Sequence, residues 1–266
     1  MSPGRSTSKE AQDALSDASA RLRFGLDGVG YAHESGPDMC AALRIDPDSW
    51  ADFSAFWRGL TLDRFMADGG TYRLRRYGAF ELQRPGPLRL LPHEAYEQPR
   101  EINPLNGGVR REFDPLEPGF AHHVVLEKFL TLLADVLDAV EHQPVRWNIR
   151  LHPYRIRADL SAEGLPTPEG LHRDGVDYIV TLMVHRHNVE GGETVVTNTE
   201  RQPVWQRTLA DPMELLVAND WRTLHAVTPI VAADSLQPAC RDVLVIAFTK
   251  PPALHAVEET PYVQAV

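Results

Sequence analysis

Runs of β-branched and aromatic residues, cut apart by glycine and proline, leave this chain few ways to fold. Val145 to Arg157 alternates apolar and polar residues, with an interruption expected at Pro153. Asp177 to Val184 is dense in β formers, Gly191-Gly192 marks a turn, and Val195-Val196 resumes the strand. Arg241 to Phe248 has the pattern of a buried strand with an arginine at its mouth. Residues of this kind suit a pleated, half-buried surface, and paired glycines break it. A length of 266 residues accommodates one large β domain with helical additions.

Two stretches follow a helical period instead. Trp50, Phe53, Phe56, Trp57 and Leu60 recur at three- and four-residue spacing, which predicts a helix over residues 48–66 capped by Asp48 or Ser49. Its aromatic face reads as a packing surface rather than a cofactor box. Leu126, Phe129, Leu130, Leu133, Val136, Leu137 and Val140 predict a second helix over 122–142. Adjacent helical residues diverge by about 100°, so His122-His123 reads as the start of that helix and not as a chelate. Residues 1–20, rich in Ser, Ala and charge, are expected to be a flexible tail or a loose helix. Residues 21–266 are read as a single domain with its sheet core over about 70–250. Between them, residues 83–121 hold many Pro and Gly, with turn chemistry at Asn103 to Gly108; they form either a lid or a plain surface loop.

The segment Gly170-Leu171-His172-Arg173-Asp174-Gly175 concentrates the chemistry. In an extended chain, residues i and i+2 point to the same side, so His172 and Asp174 can reach one metal ion. His225, in the later segment Thr223-Leu224-His225-Ala226-Val227, offers a third ligand. Two histidines and a carboxylate on one face of a metal form the ligand set of non-haem Fe(II) oxygenases. His-x-Asp alone is a weak signal in a chain with 11 His and 37 acidic residues; by itself it reads first as a surface loop. Arginines are the other feature. Over Thr71 to Phe80 a period of two puts Tyr72, Leu74 and Arg76 on one face and Arg73, Arg75 and Tyr77 on the other. An inward Arg75 or Arg76 can hold a carboxylate; an outward one solvates an edge. In the next strand, His152 and Arg155 are candidate substrate contacts or ordinarily paired side chains.

In combination, HRDG, VEGGETVVTN, LHAVTPI and RDVLVIAF resemble the bacterial 2-oxoglutarate/Fe(II) dioxygenases that hydroxylate free amino acids, the isoleucine 4-hydroxylase type. MADGGTYRLRRYGAF and INPLNGGVRREFDPL extend the resemblance over roughly residues 50 to 250. It implies a double-stranded β-helix, a cupin-like jelly-roll of two antiparallel sheets with the helices packed outside. It implies Fe(II) on His172, Asp174 and His225, with 2-oxoglutarate and O2 as cosubstrates and ascorbate as an aid. The distal carboxylate of 2-oxoglutarate needs a buried cation, which Arg241 supplies; a strand-edge salt bridge to Asp242 is the alternative for that side chain. Arg76, His152 and Arg155 are then the candidates for the amino-acid substrate. Rival readings are a cupin-type isomerase or hydrolase, which would not require Arg241, a non-enzymatic jelly-roll binding module, and a tailoring hydroxylase acting on a peptide or carrier-bound substrate. A halogenase usually lacks the carboxylate ligand, and Asp174 is present.

The remaining expectations come from composition. A net charge of −10 argues against a nucleic-acid surface. Two cysteines, Cys40 and Cys240, are too few for a disulfide framework, so a cytoplasmic setting is expected. There is no apolar run long enough for a membrane span, and MSPGRSTSKE has no apolar h-region. The expected partner is a small molecule.

Overall fold

The structure, a computed structural model, describes residues 4–100, 107–159, 162–234 and 236–251. Helix α1 (Gly4–Gly28) leads through β1 (Tyr31–Glu34) to α2 (Gly36–Leu43) and α3 (Pro47–Ala55). A 3-10 turn at Phe56–Gly59 precedes four short strands: β2 (Thr61–Leu62), β3 (Arg73–Arg75), β4 (Gly78–Gln83) and β5 (Arg89–Leu90). Helices α4 (Pro118–Ala121) and α5 (Val124–Val140) then lead to the long strand β6 (Arg146–Ala158). The remaining strands are β7 (Tyr178–His187), β8 (Val189–Gly191), β9 (Glu193–Asn198), β10 (Pro203–Thr208), β11 (Leu215–Asn219), β12 (Thr223–Val227), β13 (Ile230–Ala232) and β14 (Ala239–Thr249).

The large antiparallel sheet runs β1-β11-β7-β14-β6-β3-β2, with β4 also on β6 and β5 on β4. Facing it are the smaller sheets β10-β9-β12 and β13-β8. This is the jelly-roll expected from the sequence. The large sheet alternates, with one register shift between β14 and β7 at Asp242/Val243. Trp147, Ile149 and Leu151 of β6, Val180 and Leu182 of β7, and Leu244, Ile246 and Phe248 of β14 join Leu126, Phe129, Leu130, Leu133 and Leu137 of α5 in one core. Each fully buried apolar side chain there contributes about 1.5–3 kcal/mol. The opposite parity, His152, Tyr154 and Ile156 of β6 with Arg241, Val243 and Val245 of β14, lines an internal cavity.

Several local expectations shift. From Gly4 onward the expected tail is helix. Ala18, Leu22 and Leu26 of α1 are fully buried, at an eight-residue span of helical spacing that presents one apolar stripe to the core. The large sheet also begins before residue 70, at Tyr31. The helix expected over 48–66 stops at Ala55, passes into the 3-10 turn and yields to β2. Its cap is Asp46, whose Oδ1 accepts from the Ser49 N–H at 2.9 Å, so neither Asp48 nor Ser49 is the cap. Its aromatic face packs as expected, Phe53 stacking on Phe120 at 5.2 Å. Helix α5 starts after His123, whose Nδ1 accepts from the Val125 N–H at 3.2 Å. Pro153 does not interrupt β6. Pairing to β4 ends at Leu151 and pairing to β3 begins at Tyr154, so the proline sits in the gap between two partners, where its missing N–H leaves no ladder bond unmade.

Candidate active site

The three metal-ligand candidates come together because a short segment adds itself to the small sheet. Gly164 pairs with Ile230 and His172 with His225 as antiparallel bridges. Between them the Thr167 hydroxyl donates to the Val227 carbonyl at 3.0 Å and accepts its N–H at 2.9 Å. His172 and His225 exchange both backbone bonds, at 3.1 and 3.0 Å. Directly opposed residues put their side chains on the same face, and the two rings lie 4.5 Å apart. Asp174 completes the group: one donor atom each from His172, Asp174 and His225 lie within 4.8 Å of one another.

Supporting contacts orient the donors. His172 Nδ1 donates to the Gly170 carbonyl at 2.8 Å, which leaves the Nε2 lone pair free. Gly170 has φ +73°, a left-handed conformation that glycine adopts without a Cβ clash. Asp220, on the turn before β12, accepts the backbone N–H groups of Asp174 (3.2 Å), Gly175 (2.7 Å) and Val176 (3.1 Å). Burial works against charge on Asp174, but the hydrogen bond from His225 and the two nearby imidazoles outweigh it and hold the carboxyl below its ordinary range. Burial likewise opposes an imidazolium at His225, yet Asp174 raises its pKa. Two histidines and a carboxylate with their donor atoms turned toward one another are a donor set that suits a divalent iron.

Arg241 lies in the same cavity. It is 2% exposed, and its Nε and Nη2 have no hydrogen-bond partner among the described residues. Its cross-strand neighbour is another arginine, Arg186. Burial first, and Arg186 second, lower the Arg241 pKa to about 9. A buried guanidinium that is unpaired and repelled by a neighbour is a site waiting for an anion. Gly192, at φ +71°, lets the chain pass against both arginines, where a Cβ would lie 3.3 Å from Arg241 Cδ. The alternative, an Arg241–Asp242 salt bridge, is not formed, since Asp242 faces the other way.

The candidate substrate contacts divide. His152 lines the cavity. Arg76 and Arg155 do not. Arg76 donates to the Gly59 and Pro115 carbonyls at 3.0 and 2.8 Å on the outside of the sheet. Arg155 is paired to Asp242 by two bonds of 2.7 Å, also outside. The reason is parity: Arg73 and Arg75 are the inward residues of β3, and both line the cavity. Sequence reading also passed over Tyr96, Gln98 and Arg111. An antiparallel bridge between Tyr96 and Arg111 brings them into the wall from the aperiodic segment 83–121. The Asn103 to Asn106 part of the expected turn lies outside the described residues. Glu169, three residues before His172, was missed too; its Oε1 lies 3.4 Å from His172 Nε2. Asp177 serves the fold, its Oδ2 accepting the Lys250 N–H at 2.7 Å.

The sequence profile described as 2OG-Fe dioxygenase matches residues 54–247, well over half of the chain. The chain belongs to that family. As a 2OG-Fe dioxygenase it is an oxygenase that uses Fe(II), 2-oxoglutarate and O2. It is 29% identical over 209 residues to the 3(1)-hydroxy-L-isoleucine 4-dioxygenase of Pantoea ananatis, covering 76% of this chain and 82% of that protein. Among solved structures, a bsmA homolog from Methylobium petroleophilum is 32% identical, with a TM-score of 0.80 over 87% of this chain and 93% of the other. IDO from Bacillus thuringiensis shares the fold, with 18% identity and a TM-score of 0.72 over 87% and 95%. Among the described residues, no helix of this dioxygenase is long and apolar enough to cross a membrane.

Proposed function

We propose that this dioxygenase hydroxylates an aliphatic C–H bond of a free L-amino acid or a close derivative. The observation that carries the reading is a buried, unpaired Arg241 in the same cavity as the His172–Asp174–His225 group. A cupin isomerase or a passive binding module gives no reason for that cation. In this reading the three side chains hold Fe(II), and Arg241 holds the distal carboxylate of 2-oxoglutarate through charge-assisted bonds. Iron with 2-oxoglutarate and O2 supplies an oxidant strong enough for an unactivated C–H bond.

The chain's own residues do the positioning. Gly170 sets the His172 tautomer, and Asp220 fixes the backbone that carries Asp174. Ile156, Val227, Val243 and Val245 give the cavity apolar walls that limit water around the reacting carbon. The similarity to a hydroxy-isoleucine dioxygenase supports an amino acid as the substrate. Two free cysteines are consistent with a cytoplasmic setting.

The test is anaerobic reconstitution with Fe(II), then addition of O2, 2-oxoglutarate and ascorbate with each common L-amino acid, read by mass and by succinate release. The expected result is a gain of one oxygen on a free amino acid. Equal or better turnover of the same residue inside a peptide or on a carrier would replace the reading with a tailoring hydroxylase.

A further inference from the structure

The cavity holds a second set of cations, separate from Arg241. Arg75 and Arg111 are each 2% exposed, and the Nε of each is buried with no hydrogen-bond partner among the described residues. They come from different places, β3 and the strand-like pair Tyr96–Arg111, yet share aromatic neighbours. The Arg75 guanidinium lies 3.6 Å from the Phe113 ring centroid and 5.7 Å from that of Tyr96. For Arg111 the distances are 5.9 and 4.8 Å.

Compensating charge is scarce around them. Asp63 lies 3.8 Å from Arg75 Nη1, but it is committed to Arg73 by contacts of 2.8 and 2.7 Å. The other partners are neutral. Arg111 donates to Gln98 Oε1 at 2.9 Å. Arg75 donates to His152 Nδ1. Burial, then Arg75, Arg150 and Arg111, keep that imidazole uncharged. The cavity's two carboxylates, Asp174 and Glu169, lie against the metal-site histidines instead. Buried cations in excess of local anions call for an anion from outside, and Arg241 already accounts for the one that 2-oxoglutarate brings.

We infer that Arg75 and Arg111 together form the binding site for the α-carboxylate of the substrate. The inference rests on the free-amino-acid reading and names where that substrate is gripped. The same contacts tie the grip to the metal loop: Gln98, held by Arg111, donates from Nε2 to the Asp174 carbonyl at 3.4 Å. A carboxylate on Arg111 therefore orders the segment that leans on the ligand backbone. The aromatic rings of Tyr96 and Phe113 exclude water from the pair and strengthen it.

The experiment compares the wild-type enzyme with Arg111→Gln, Arg111→Lys and Arg75→Lys, each checked for folding by thermal melting. The probes are the best amino acid from the panel and its carboxamide. In Arg111→Gln, kcat/KM for the acid should fall about 100-fold, kcat/KM for the carboxamide should fall far less, so that the preference for acid over carboxamide is lost, and the KM for 2-oxoglutarate should not move. Arg111→Lys should restore part of the loss. A variant that keeps the preference for acid over carboxamide, or that changes only the 2-oxoglutarate KM, overturns the assignment. If Arg75→Lys does not fold, Arg111→Gln decides alone. If wild type turns over no free amino acid, the free-amino-acid reading fails by itself. Calorimetric titration of the anaerobic Fe(II)·2-oxoglutarate enzyme with isovalerate then decides the clamp: binding lost in Arg111→Gln supports it, and binding that is absent or indifferent to Arg111 refutes it.

Discussion

On the inner face of β14, Arg241 points into the cavity that also holds His172, Asp174 and His225. On its outer face, Asp242 lies with His185 and Cys240 in a second group whose donor atoms are within 4.8 Å of one another. Each face thus brings together three side chains of metal-ligand type, with an arginine nearby. They differ in what the arginine is doing. Outside, Arg155 holds both oxygens of Asp242 at 2.7 Å, so that group's carboxylate is already neutralised. Inside, among the described residues, Arg241 has two buried nitrogens without partners, and the triad's carboxylate lies against the His172 and His225 imidazoles. A satisfied ion pair stabilises a sheet; an unsatisfied one marks a binding site. Composition of the two clusters is similar, and the state of the nearby charges separates them.

The largest expected effect breaks that comparison at the metal. His172→Ala, Asp174→Ala or His225→Ala should each lower turnover at least about 1,000-fold with loss of iron on reconstitution, since two ligands bind weakly. His185→Ala with Cys240→Ser should leave one iron per chain and near-native turnover. Iron lost on changing the outer group, or retained on changing the inner one, would reverse the assignment.

Next come the two arginines. Arg241→Ala should raise the 2-oxoglutarate KM by about 100-fold or more, because a buried charge-assisted contact is worth roughly 2–5 kcal/mol. Arg155→Ala should leave that KM alone and cost about 1–3 kcal/mol of stability in urea unfolding, by stranding a buried Asp242. Asp242→Asn added to Arg155→Ala should recover part of that loss. An Arg155 variant with altered cosubstrate dependence would mean the two faces are coupled.

A smaller effect follows pH. His152 is buried among arginines that depress its pKa well below the ordinary value near 6.5. The unfolded chain therefore takes up this proton first as pH falls. Stability from His152 is complete above about pH 6.5 and declines below it, by at most about 1.4 kcal/mol per pH unit. Melting curves from pH 7.5 to 5 should show a steeper acid decline for wild type than for His152→Asn; equal slopes would place the imidazole in a wetter setting. The smallest effect is Arg76→Ala, on the outward side of the same strand region as Arg75. Its kcat/KM should stay within about twofold of wild type, and a large loss would return Arg76 to the substrate site.

Local chemistry in the sequence was enough for the strands around the ligand motif, helix α5 with its apolar stripe, the His172–Asp174 spacing and the arginine at the start of β14. These depend on periods of 2 and 3.6 and on side-chain type, which are properties of the chain itself. Segment ends and partners are not. Whether Arg75 or Arg76 faces inward turns on a single step of parity, set by how β3 registers against Tyr154 and Ile156 of β6. Arg155 is a candidate substrate contact in sequence, until the pairing of β6 with β14 commits it to Asp242. Asp220 and Gln98 carry no motif, and nothing within INPLNGGVRREFDPL singles out Arg111, because their roles come from approaching backbone or side chains distant along the chain. The first helix was obscured by its Ser- and charge-rich exposed face, and only the core beside it gives Ala18, Leu22 and Leu26 something to bury against. Tertiary structure decided these positions because the free energy of a charge depends on what surrounds it, and the surroundings are assembled from segments that are remote in sequence.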